Sequence, residues 1–186
     1  MPSRSKTQKV IVSIAVCLLM SLVAVKVFFI DYFRIPQNGM YPGLPAGSIV
    51  VTWRRAYSRA ADVKRGDIVI FVREEQGQRF NYIWRVIALP GEKVEASGES
   101  LKIDGELVQR SRVREADGRT VFHEQIGDAS YEIAFTASPG DPPPDVAVVV
   151  PADEFFVMGD NRNDARDSRY FGPISFRSII GRTLKR

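Results

Sequence analysis

The sequence predicts an all-β domain carried behind one N-terminal membrane-spanning helix. Beyond residue 31 no segment keeps apolar residues at helical spacing for four turns. Short β-branched and aromatic runs recur instead, each bounded by Gly, Pro or Asp. Residues 10–30 read VIVSIAVCLLMSLVAVKVFFI, an apolar run broken only by Ser13, Ser21 and Lys26. That is long enough for a helix to cross the roughly 30 Å of bilayer hydrocarbon.

Arg4, Lys6 and Lys9 precede the run and form a basic tail over 1–9. Lys26 stands about one turn from the far end, where its stem can reach the headgroups. Phe28, Phe29, Tyr32 and Phe33 supply interfacial aromatics. A cleaved leader would need small residues at −3 and −1, and its best candidate site, Leu22-Val23-Ala24, has Leu at −3. A buried core helix would need no basic flank. An uncleaved anchor over 10–30 is therefore expected, with the N-terminus in the cytoplasm and the rest outside it.

The predicted strands are 48–53, 67–72, 82–89, 131–135, 146–150 and 154–158. Residues 101–108 form a hairpin, because Asp104-Gly105 supplies both positive-φ positions of a type I′ turn. Asp117-Gly118 marks a candidate second turn. The Pro-rich stretch 138–145 must be a surface loop. Residues 92–150 are more polar than their flanks and read as a β subdomain inserted into a core made of 31–91 and 151–186.

The chain has 186 residues, 45% hydrophobic and 26% charged, which excludes a disordered protein. One Cys (Cys17, in the apolar run) and one His exclude an internal disulfide, a zinc ribbon and a thiol protease. The net charge of +4 gives little support to nucleic-acid binding. No metal or cofactor is expected. Arg54, Arg55, Arg59, Lys64 and Arg65 cluster in one polar stretch, either a solvated loop or a contact for anionic lipid.

Four segments follow the anchor in order. The first is Ile35-Pro36-Gln37-Asn38-Gly39-Met40-Tyr41-Pro42-Gly43-Leu44, and the second is Arg65-Gly66-Asp67 with its apolar strand. The third runs Tyr82-Ile83-Trp84-Arg85 to Pro90-Gly91-Glu92. The fourth is Gly159-Asp160-Asn161-Arg162, followed by Asp167-Ser168-Arg169 and Gly172. This set resembles the boxes of type I signal peptidases across about 33–183. The resemblance implies a signal-peptidase-like β domain at the outer face of the cytoplasmic membrane. It also implies a Ser/Lys dyad, in which a neutral Lys takes the Ser proton and a second Ser orients the Lys.

Carried over residue by residue, the chemistry is missing. The nucleophile position is Gly39, the base position is Trp84, and the position of the orienting Ser is Ala165. The oxyanion hydroxyl is replaced by Gln37. No Ser, Thr or Cys occurs between Tyr32 and Gly47, and no Lys between Lys64 and Lys93. The lone His123 lies in the inserted stretch. Phe33, Ile35, Pro36, Met40, Leu44 and Ile83 match positions of the family's apolar substrate groove, which Trp84 would either plug or extend with a flat face. Arg85, Asp160, Asp167 and Arg169 match framework ion pairs. The reading expected is an inactive peptidase homologue in the bilayer that binds an exported or membrane protein. An active signal peptidase and a structural subunit of a membrane complex are its rivals.

Overall fold

The structure is a computed structural model that describes residues 6–137 and 141–184. Arg4 of the basic flank and residues 138–140 of the Pro-rich loop lie outside the described residues. Helix α1 spans Lys6–Phe29, and its described side chains are exposed. Its Gln8–Phe29 stretch is long and apolar enough to cross a membrane. No linker follows: β1 (Ile30–Arg34) begins at the next residue.

Seven strands form the main sheet, in the order β1-β2-β14-β3-β4-β12-β13. Their ranges are β2 Ile49–Arg54, β3 Ile68–Glu75, β4 Gln78–Ala88, β12 Glu154–Met158, β13 Ile174–Ser175 and β14 Ile179–Thr183. Residues 93–149 supply the rest. A four-stranded sheet, β11-β5-β6-β7, uses β5 Lys93–Ser97, β6 Ser100–Ile103, β7 Glu106–Leu107 and β11 Val146–Val149. A three-stranded sheet, β10-β9-β8, uses β8 Gln109–Ala116, β9 Arg119–Ile126 and β10 Ala129–Thr136. Both Asp-Gly turns form with positive φ, 52° and 84° at Asp104 and Gly105 and 52° and 69° at Asp117 and Gly118.

Alternation along β4 and β12 makes two cores from one pair of strands, because successive side chains leave a strand on opposite faces. Trp84 and Val86 on β4, with Phe155 and Val157 on β12, pack with Ile35, Met40, Leu44 and Val69. Ile87 on β4, with Phe156 and Met158 on β12, packs on the other side with Val94, Leu101, Ile133 and Phe135 of the two smaller sheets. A one-residue slip would exchange the two faces.

The two strands overlap only in part. β12 pairs β4 at Arg85, Val86 and Ala88. Beyond that point the edge of β4 from Gln78 to Trp84 has, among the described residues, no strand on the β12 side, while β3 continues beside it to Glu75. The segment 35–44 lies beside this open edge.

Candidate functional site

Three loops meet at the end of β12. The segment 35–44 is held to the chain after β12 by its backbone: Asn161 N–H donates to the Gly39 carbonyl at 3.0 Å, and Asn161 Nδ2 to the Asn38 carbonyl at 3.1 Å. Within the segment, Ala46 N–H donates to Asn38 Oδ1 and Leu44 N–H to the Met40 carbonyl. Asp167 fixes the third loop. It accepts from Gly159 N–H at 3.0 Å and caps the short helix α2 (Ser168–Phe171) through Arg169 N–H. Ser168 Oγ accepts from Val157 N–H.

Buried ion pairs anchor these loops. Arg85 makes a bidentate pair with Asp160, both contacts 2.7 Å, and its third nitrogen donates to the Gly66 carbonyl. Burial opposes the Arg85 charge and Asp160 outweighs that cost, so its pKa is raised. Arg169 pairs bidentately with Asp167 at 2.7 and 2.8 Å and donates to the Arg162 carbonyl. The four framework residues expected from the sequence therefore form two pairs.

A third cluster was not anticipated from the sequence. Arg162 and Glu124 are fully buried and pair bidentately, and Arg110 and Tyr131 also donate to Glu124. Burial pushes the Glu124 pKa up, but Arg162 and Arg110 bring it below the ordinary carboxylate value. Arg162 belongs to the fourth segment, and that membership was the available signal. Its partner could not be read, because Glu124 lies in β9 with no sequence pattern of its own.

At the centre stand Gly39, Trp84, Gly159 and Ala165. A Cβ placed on Gly39 would lie 2.5 Å from Trp84 Cη2 and 2.7 Å from Cζ3. A Cβ on Gly159 would lie 2.3 Å from the Ala165 Cβ, 2.6 Å from the Gly39 carbonyl and 3.0 Å from Trp84 Cζ3. The indole thus fills the volume above the two glycines, with 9% of its surface exposed. Its Nε1 is buried and finds no hydrogen-bond partner among the described residues.

Trp84 does not fill the whole groove. A cleft of about 260 Å³ remains against the open edge of β4, lined by Ile35, Pro36, Gln37, Gly39, Met40, Phe80, Asn81, Tyr82, Ile83 and Trp84. Of the expected groove residues, Ile35, Pro36, Met40 and Ile83 line it. Leu44 is buried in the core instead, and Phe33 lies half-buried on β1. Phe80 and Asn81, just before the strand expected over 82–89, and Tyr82 at its start were missed as lining residues. The lining contains no Ser, Thr, Cys, Lys or His. Burial and a hydrogen bond to Glu75 raise the Tyr82 pKa, so that phenol stays protonated at neutral pH. His123 is exposed on β9, with Nε2 2.6 Å from Ser130 Oγ, and is not among the residues lining the cleft. Among the described residues no group of His, Cys, Asp or Glu could hold a metal ion.

The described residues thus hold an N-terminal helix long and apolar enough to cross a membrane and a β domain with ion-paired loops and a cleft beside an open strand edge. Residues 7–186 match the family described as signal peptidase, peptidase S26. The chain is 31% identical to signal peptidase I of Pseudomonas aeruginosa over 89% of this chain and 67% of that protein. It is 31% identical to signal peptidase I of Pseudomonas fluorescens over 82% of this chain and 59% of that protein. It thus spans between 59% and 67% of the length of these two relatives. A crystal structure of a signal peptidase I from Enterococcus faecalis is 26% identical, covering 64% of this chain and 95% of that one, with a TM-score of 0.41. The chain belongs to the signal peptidase S26 family.

Proposed function

We propose that this chain is a non-cleaving member of its family that binds an extended segment of an exported or membrane protein in the cleft beside β4. One observation carries the reading: the Trp84 ring occupies the space in which a side chain at position 39 would stand. A nucleophile at that position would clash with the indole as it stands. The residues lining the remaining cleft offer no nucleophile or base in their place. In serine hydrolases, loss of nucleophile or base alone costs on the order of 10⁶ in rate.

Binding, by contrast, has what it needs. The unpaired edge of β4 presents backbone donors and acceptors to an incoming strand, and Ile35, Met40, Ile83 and Trp84 offer apolar contact to its side chains. The α1 anchor would hold the cleft at the membrane surface. The basic flank favours an N-terminus in the cytoplasm and a β domain outside it.

The names of the relatives favour a second reading, an active signal peptidase. One assay separates the two. Purified full-length chain in detergent is incubated with a preprotein, and the same preprotein's leader peptide is titrated against Trp84 emission. The proposal expects no processing and a saturable blue shift. Processing by a sample free of other peptidases overturns it.

A further inference from the structure

The junction of α1 with the β domain holds a second concavity, separate from the cleft. It measures about 620 Å³ and is lined by Phe28 of the last helical turn, by Asp31, Arg54, Arg55 and Tyr57, and by Arg177 beside the start of β14. Its charged lining is three arginines and one aspartate, a net charge of +2. Arg54 is committed: it pairs with Asp31 and reaches the Val27 carbonyl at the end of α1. The Arg55 and Arg177 guanidinium groups, both exposed, have no partner among the described residues.

The surroundings say which anion fits. Phe28 lies at the end of the apolar helix, so the concavity opens at the depth where that helix would leave the hydrocarbon. Tyr57, Phe176, Ile179 and Ile180 complete the lining with aromatic and apolar surface, and Ile180 is exposed. Cations with free donors are thus set beside apolar and aromatic surface, which matches a lipid headgroup joined to its acyl chains. A soluble anion has no use for that apolar surface.

We infer that this concavity binds the headgroup of an anionic phospholipid, with Arg55 and Arg177 donating to the phosphate and Phe28, Phe176 and Ile180 against the glycerol and upper acyl chain. The site stands whether or not the cleft beside β4 cleaves peptides. One anionic lipid held there would fix the tilt of the β domain over the bilayer, since α1 enters β1 without a linker.

The test uses full-length chain in vesicles of phosphatidylcholine with a minor fraction of phosphatidylglycerol, either lipid carrying brominated chains. Phe28→Trp in a Trp53→Phe background places a reporter in the lining, and its quenching shows which lipid occupies the junction. Lys6 and Lys9 cannot mimic the signal, because they lie at the other end of α1. Phosphatidylglycerol should be enriched around that reporter at least about fivefold over its bulk fraction, the worth of one basic residue near a membrane surface. Arg55→Gln with Arg177→Gln should return the ratio to near the bulk value. Lys102→Gln with Arg112→Gln, which removes the same charge from the smaller sheets, should leave it unchanged. If the junction double variant does not fold, Arg177→Gln alone should halve the enrichment. A bulk ratio in the reporter chain, an enrichment that survives both junction changes, an equal loss in the Lys102/Arg112 control, or displacement by millimolar inorganic phosphate would each overturn the site.

Discussion

Adding one methyl group at position 39 tests the geometry at the centre of the cleft. Gly39 is not held in the left-handed region, so its backbone accepts an L-residue. Gly→Ala at such a position ordinarily stabilises by about 0.4–1 kcal/mol by restricting the unfolded chain. Here the new Cβ would stand 2.5 Å from Trp84 Cη2 and 2.7 Å from Cζ3. Something must shift, and overpacking of this kind costs about 1–3 kcal/mol. Gly39→Ala should therefore destabilise the native chain. Trp84→Ala alone should cost about 3–5 kcal/mol, as large core truncations do. In that background the clash is gone, and Gly39→Ala should become neutral or stabilising. The sign reversal implies a coupling energy of at least about 1.5 kcal/mol, within the range seen for contacting residues. Urea unfolding of the four full-length proteins in the same detergent, followed by far-UV circular dichroism, measures all the terms. If the two changes add within about 0.5 kcal/mol, the indole does not cover Gly39, and the argument against a nucleophile there loses its basis.

Further outcomes follow from the same contacts. Glu124→Gln should destabilise by about 3–5 kcal/mol, because it leaves the buried Arg162 without its counter-charge. The Glu124 pKa is lowered on folding, so its contribution is present above the unfolded value near 4.5 and is lost as pH falls through the folded one. Urea midpoints should thus drop below about pH 4.5 in the native chain and less steeply in Glu124→Gln; equal slopes would reject the assignment. The triple change Gly39→Ser, Trp84→Lys and Ala165→Ser removes the indole with the same stroke that restores the hydroxyls and the amine. Preprotein processing is expected from this variant before any that keeps Trp84, and activity in Gly39→Ser alone would contradict the packing. Protease added to intact spheroplasts should degrade the β domain and spare α1, whereas protection of the domain would refute the topology.

Strands with long apolar runs were legible, whereas β5, β9 and β14, which bury only isolated residues, were not. Residues 67–72 and 82–89 carry apolar runs because β3 and β4 lie in the core there. The same hairpin continues to Glu75 and Gln78 around Gln76-Gly77, both at positive φ, but that end is exposed and its side chains are polar. No hydrophobic alternation marks it, so the sequence suggested two shorter strands. β8 was lost for the same reason: only Arg110 and Ala116 along it escape full exposure. β1 was hidden by the apolar run that precedes it, since nothing in the residues separates the end of the helix from the first strand. Glu124 illustrates a different limit. A carboxylate in a polar strand reads as solvated, and only the fold brings Arg162 and Arg110 to it.

At the site, the sequence exposed which groups are absent but not why those residues replaced them. Taken singly, Gly39, Trp84 and Ala165 look like three separate losses of chemistry. In the structure they are one packing unit with Gly159. An indole at position 84 needs volume, and a Cβ at position 39 or 159 would intrude on it. Interiors pack at close to crystal density, so exchanges that conserve total volume are the ones a core tolerates. Any side chain regained at position 39 would meet the ring as it stands and must displace it. Loss of Trp84 therefore opens the way to recovery of a nucleophile. An aromatic floor for the cleft and a hydroxyl at its centre are alternative occupants of one space.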